Sequence, residues 1–89
     1  MYSIIYEKKA IKDTQKLIES KLDRKAKALI DILRNNPYQK PPRYEKLQGD
    51  LQGAYSRRIN IQHRLVYEVI EDVKAIKIIS MWSHYEYLR

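Results

Sequence analysis

Ser56-Arg57-Arg58-Ile59-Asn60-Ile61-Gln62-His63-Arg64-Leu65-Val66-Tyr67-Glu68-Val69-Ile70 reads as two strands meeting at a tight passage. Side chains alternate between the two faces of a strand. In the second strand Leu65, Tyr67 and Val69 therefore share one face, and Arg64, Val66 and Glu68 share the other. In the first, over residues 56–61, Ile59 and Ile61 oppose Arg58 and Asn60. If the apolar set packs beneath a layer of helices, Arg58 and Arg64 emerge together on an open face. Glu71-Asp72 then supplies a turn into a further strand over residues 75–80, where Ile76, Ile78 and Ile79 do not alternate cleanly.

The helices lie upstream. Tyr2-Ser3-Ile4-Ile5-Tyr6 is short, aromatic and β-branched, as a first strand is. Ala10, Ile11, Thr14, Leu17 and Ile18 recur at helical spacing, and Asp23 can cap a second helix whose stripe is Ala26, Leu29, Ile30 and Leu33. Asn35-Asn36-Pro37 ends that helix, because a residue before proline is pushed out of the helical region. Residues 37–42 read as an extended connection stiffened by Pro41-Pro42, and Gly49 and Gly53 bracket a turn-rich stretch. The expected fold class is α+β, with an N-terminal strand and a two-helix hairpin packed on an antiparallel sheet, in one domain over residues 1–89.

Composition narrows the function classes. The 89 residues contain no cysteine, which excludes disulfides and thiolate–metal sites, and two histidines alone do not make a structural zinc site. No metal or cofactor is expected. The longest apolar runs are three residues, such as Ala28-Leu29-Ile30, so a cytoplasmic protein without a membrane span is expected. With 18 Lys+Arg against 11 Asp+Glu the net charge is +7, which suits a polyanion or an acidic protein partner.

A basic open face is a plausible RNA surface, and RNA carries its own nucleophile in the 2′-hydroxyl beside each phosphodiester. Cleavage needs a base for that proton, a cation for the developing phosphorane charge and an acid for the departing 5′-oxygen. Glu45, Arg57, Arg58, Arg64, His84 and Tyr85 could supply these groups. Each also has a plainer reading. Glu45, between Arg43 and Lys46, can be a solvated ion pair. Of Arg57 and Arg58, which point to opposite faces, one can be structural. His84 can simply be exposed, and Tyr85 and Tyr87 can plug the sheet edge. His63, at the strand passage, reads as structural, and Trp82 either stacks on a base or fills core.

Tyr44-Glu45-Lys46-Leu47, then Leu51-Gln52-Gly53-Ala54-Tyr55-Ser56-Arg57-Arg58-Ile59-Asn60, then Gln62-His63-Arg64-Leu65-Val66-Tyr67, closing on His84-Tyr85, resembles the Txe/YoeB family of the RelE/ParE toxin superfamily. The resemblance implies a RelE-like fold and the toxin of a type II toxin–antitoxin system, an endoribonuclease that cuts mRNA in the ribosomal A site. It implies Glu45 as general base, Arg64 at the scissile phosphate, His84 as general acid and Tyr85 as a neighbour that places the substrate. Lys46, Arg57, Arg58 and Trp82 are the accompanying RNA-binding candidates. The implied partners are a cognate acidic antitoxin, which alone carries the toxin to operator DNA, together with the ribosome and mRNA; a homodimer is compatible. Two other classes stay open: a basic module that binds nucleic acid without cutting it, and a ParE-like topoisomerase poison.

Overall fold

The computed structural model describes residues 1–84, with His84 described by its backbone alone. The first strand, β1 (Ser3–Tyr6), leads into α1 (Lys8–Glu19) and α2 (Asp23–Asn35). Four strands follow: β2 (Tyr44–Lys46), β3 (Ala54–Arg58), β4 (His63–Ile70) and β5 (Ala75–His84). They form one sheet in the order β1-β5-β4-β3-β2. The antiparallel expectation holds for β2 to β5, but β1 runs parallel to β5, so the sheet is mixed. The helical hairpin makes the difference. It carries the chain from β1 at one edge to β2 at the other and leaves β5 to come in beside β1.

The hairpin closes at Lys21, which takes a left-handed conformation (φ 59°) usually reserved for glycine. Its N–H bonds to Ile18 O at 3.1 Å, and the Leu22 N–H reaches back to Leu17 O at 2.8 Å, satisfying the last carbonyls of α1. Asp23 does not cap α2. Leu22 holds the cap position, and Asp23 is instead the acidic residue of the first turn, where its charge complements the helix dipole. At the other end Asn36 is extended (φ −159°), as the following Pro37 requires.

Both helices lie on one face of the sheet. Ala10, Leu17, Ala26, Leu29, Ile30 and Leu33 meet Ile59, Leu65, Tyr67, Ile76, Ile78 and Met81 in the main core. The face given by Leu65 and Tyr67 is thus the helix side, as the alternation indicates. Ile11 and Ile18 are 60% and 50% exposed rather than packed on the sheet. The buried stripe of α1 is Ala10, Asp13 and Leu17, which turns both isoleucines away from the sheet. Ile11 lines a groove of about 400 Å³ with Leu17, Ala26 and Ile30.

Ile61 also departs from expectation, at 85% exposure. β3 stops at Arg58, and the N–H groups of Ile59 and Asn60 both bond to His63 O, at 2.9 and 3.3 Å. Asn60 Oδ1 accepts from the N–H groups of Gln62 and His63, at 2.9 and 2.7 Å. This side-chain turn closes the hairpin and leaves Ile61 at its tip.

The irregular β5 has a physical cause. Two register shifts on its pairing with β4 leave Leu65 opposite both Met81 and Trp82, and Val66 beside both Ile79 and Ser80. Such bulges set successive residues on the same side of a sheet. Ile76, Ile78 and Met81 consequently join the main core, while Ile79 packs with Leu47, Ala54 and Val66 on the opposite face.

Candidate active site

The connection over residues 37–42 is pinned from below. Arg57 is fully buried on the helix side, and its Nε donates to Tyr67 Oη at 3.1 Å. Its Nη1 donates to Pro42 O and its Nη2 to Pro37 O at 2.9 Å. Tyr67 Oη adds a second bond to Pro37 O at 2.9 Å, and burial pushes the Tyr67 phenol above its usual pKa. The guanidinium also lies 5.0 Å from the Tyr44 ring centroid. Tyr38 continues the anchoring by donating to Glu71 Oε2 at 2.7 Å. A rigid connection delivers β2 to the sheet edge, where Glu45 pairs in register with Ser56.

On the open face, away from the helices, Arg58 and Arg64 are register partners across β3 and β4. With Glu45, Pro42 and Arg43 they line a cleft of about 290 Å³. Arg64 is 2% exposed; its Nη1 lies 3.2 Å from Glu45 Oε1 and 3.5 Å from Ser56 Oγ. The Glu45 side chain is 40% exposed, so the pair combines a buried cation with an accessible carboxylate. Among the described residues, three arginines against one carboxylate make the cleft cationic. On β5, the strand next to β4, Ser83 is in register with Arg64 and the backbone of His84 with His63.

The chain that carries this cleft is similar to known proteins in both sequence and fold. A family model described as YoeB-like toxin of bacterial type II toxin–antitoxin system matches residues 6–85. The chain belongs to this family. Toxin YoeB from Synechocystis is 35% identical over 68 residues, 76% of this chain and 77% of the relative. Toxin YoeB from Escherichia coli K12 is 34% identical over 67 residues, 75% of this chain and 77% of the relative. Among solved structures, a YoeB/ParE toxin from Agrobacterium tumefaciens superposes with a TM-score of 0.83 at 26% identity, covering 93% of this chain and 99% of that one. The toxin in a YoeB–YefM complex from Staphylococcus aureus gives 0.79 at 34% identity, covering 96% and 99%. The RelE-like α+β fold implied by the sequence is the fold present.

Within this YoeB-like domain the sequence-derived site separates into two groups. Glu45, Arg58 and Arg64 share the cleft, with Pro42 and Arg43 as wall residues that the sequence reading did not single out. Three of the RNA-binding candidates lie outside this cleft. Arg57 has no exposed surface and its donors are turned to the connection. Lys46 lies in register with Tyr55, on the face opposite Glu45, and lines a separate depression with Gln48 and Gln52. Trp82 is half-buried against the main core and stacks on His63, ring centroids 3.7 Å apart at 19°. His63, at the strand passage, is buried. The His84 side chain and Tyr85 lie outside the described residues.

Proposed function

We propose that this chain is the toxin of a type II toxin–antitoxin pair, an endoribonuclease that cuts messenger RNA on the ribosome through the RNA's own 2′-hydroxyl. The observation that carries the reading is the Glu45–Arg64 pair at 3.2 Å in a cationic cleft, in a chain of this family. Arg64 is held by the sheet before substrate arrives, so it can meet phosphorane charge with little reorganisation. Glu45 is exposed enough to reach a 2′-hydroxyl and acts as general base, while Arg43 and Arg58 hold neighbouring phosphates. When a phosphate enters, it takes over the Arg64 donors and frees the Glu45 oxygen for the proton.

His84 is the general acid and Tyr85 places the substrate. A free imidazole titrates near ~6.5, and bound phosphates favour its protonated form. The step needs no metal. The 2′-oxygen bonds to phosphorus, the bond to the 5′-oxygen breaks, and that oxygen receives a proton. The products are a 2′,3′-cyclic phosphate and a 5′-hydroxyl. An acidic antitoxin partner follows from the +7 charge and from the relative solved as a YoeB–YefM complex. The site of action is the cytoplasm.

Induced expression followed by primer extension on a reporter message, wild type beside His84→Ala, tests the reading. Cuts inside translated codons that vanish in the variant support it. Growth arrest without cuts points instead to a non-cleaving binder, and 5′-phosphate ends would make water the nucleophile.

A further inference from the structure

The two bulges give β5 more residues than the strand it pairs with. The three steps from Tyr67 to Arg64 on β4 are met by five steps from Ile78 to Ser83 on β5. A bulge leaves backbone groups outside the strand ladder, and a buried N–H without an acceptor is costly. At Met81, in the upper bulge, the acceptor comes from α1. Asp13 Oδ2 receives the Met81 N–H at 3.0 Å across a sequence separation of 68 residues.

Asp13 is itself 1% exposed, on the buried stripe between Ala10 and Leu17. An apolar side chain would pack there without the cost of burying a carboxylate. Lys9 Nζ, 3.3 Å from Oδ2, offsets part of that charge from a position 60% exposed. The carboxylate is thus placed where it fixes the conformation of the one stretch of β5 that decides where residues 82–84 emerge.

We propose that Asp13, through its hydrogen bond to the Met81 N–H, is a positioning residue for RNA cleavage: it locks the bulged register that sets Ser83 opposite Arg64 and His84 opposite His63. A slip of one residue carries every later side chain of a strand to the other face. Without the Asp13 acceptor, the bulge can relax and Ser83 loses its fixed register opposite Arg64, so the chain no longer leaves β5 at one set point. The phosphate-binding arginines on β3 and β4 are untouched by that slip, so chemistry suffers while RNA affinity does not. This inference rests on the endoribonuclease reading above.

The test compares wild type with Asp13→Ala and Asp13→Asn in single-turnover cleavage on programmed ribosomes, together with amide hydrogen exchange at Met81. Asparagine keeps a neutral acceptor in the same place. The expected result is a fall in the cleavage rate on the order of 10²-fold for Asp13→Ala, the size of effect a small misplacement of catalytic groups produces. The concentration for half-saturation should be unchanged, Met81 protection lost, and both properties restored in Asp13→Asn. If the alanine variant does not fold, Asp13→Leu, which has the same branched shape without an acceptor, takes its place. Equal rates in wild type and variant overturn the role of Asp13 alone, as does equal damage in the alanine and asparagine variants. A wild-type protein that cuts no message overturns the endoribonuclease reading instead, and Met81 exchange still reports the clamp.

Discussion

Arg57 and Arg64 are both buried arginines of the same sheet, at 0% and 2% exposure, and they do opposite things. Arg57 faces the helices and gives its donors to two backbone carbonyls and a phenol, all uncharged. Arg64 faces the open side and meets a carboxylate that solvent can reach. A guanidinium satisfied by fixed neutral acceptors is a brace, because nothing arriving from outside can compete for it. A guanidinium whose counter-ion is exposed is available for exchange, because an incoming anion can displace that carboxylate at modest cost. The two faces of one strand pair thus carry one guanidinium closed to exchange and one open to it.

The contrast fails if exchanging the two positions has similar consequences. Arg64→Ala should lower single-turnover cleavage by at least ~10²–10⁴-fold, the range of a single catalytic group, while the melting temperature stays close to wild type. Arg64→Lys should not restore the rate, since an ammonium lacks the two-pronged geometry. Arg57→Met should do the reverse. Each stranded acceptor among Pro37 O, Pro42 O and Tyr67 Oη costs about 1–3 kcal/mol, enough to lower Tm by on the order of 10 °C. A folded, wild-type-stable Arg57→Met protein would end the brace interpretation.

Leu29→Ala, in the core beneath the brace, should cost about 2–5 kcal/mol by chemical denaturation; an unchanged midpoint would contradict the packing of α2 on the sheet. A smaller effect is expected at Glu71, which secures Tyr38 and hence the connection. Hydrogen bonds from Tyr38 and then Tyr2 hold its carboxyl below the usual value. A depressed carboxylate pKa contributes stability that is present above the unfolded value, about 4.3, and lost as pH falls through the folded value. The Tm gap between wild type and Glu71→Gln should therefore be open at pH 6 and close on acidification; a gap that widens in acid would reverse the sign. Ile61→Ser, at the exposed hairpin tip, should leave stability within about 0.5 kcal/mol.

The helix-side alternation of Leu65 and Tyr67, the pairing of Arg58 with Arg64 and the helical hairpin were all legible, because each rests on a local period or a nearest-neighbour turn. Ile76, Ile78 and Ile79 carried a readable signal of the bulges in their failure to alternate. Arg57 was not legible as a brace. Two of its acceptors, the carbonyls of Pro37 and Pro42, lie 20 and 15 residues back in sequence, and carbonyl groups leave no trace in side-chain identity. β2 is too short at three residues to show a period, and the parallel union of β1 with β5 joins residues about as far apart as the chain allows. Asp13 could have been noticed, since a charge at helical spacing between Ala10 and Leu17 breaks an otherwise apolar stripe.

The central place of β5 has a consequence for when the toxin comes into being. During synthesis β1, the helices and β2 to β4 are all made before residues 75–84, yet β5 lies between β1 and β4 and separates them. Until β5 emerges, the helical hairpin with β1 and the meander β2–β4 share no strand, and Ser83 is not yet in register with Arg64. The sheet therefore closes only when its last strand pairs on both sides, with β1 and with β4.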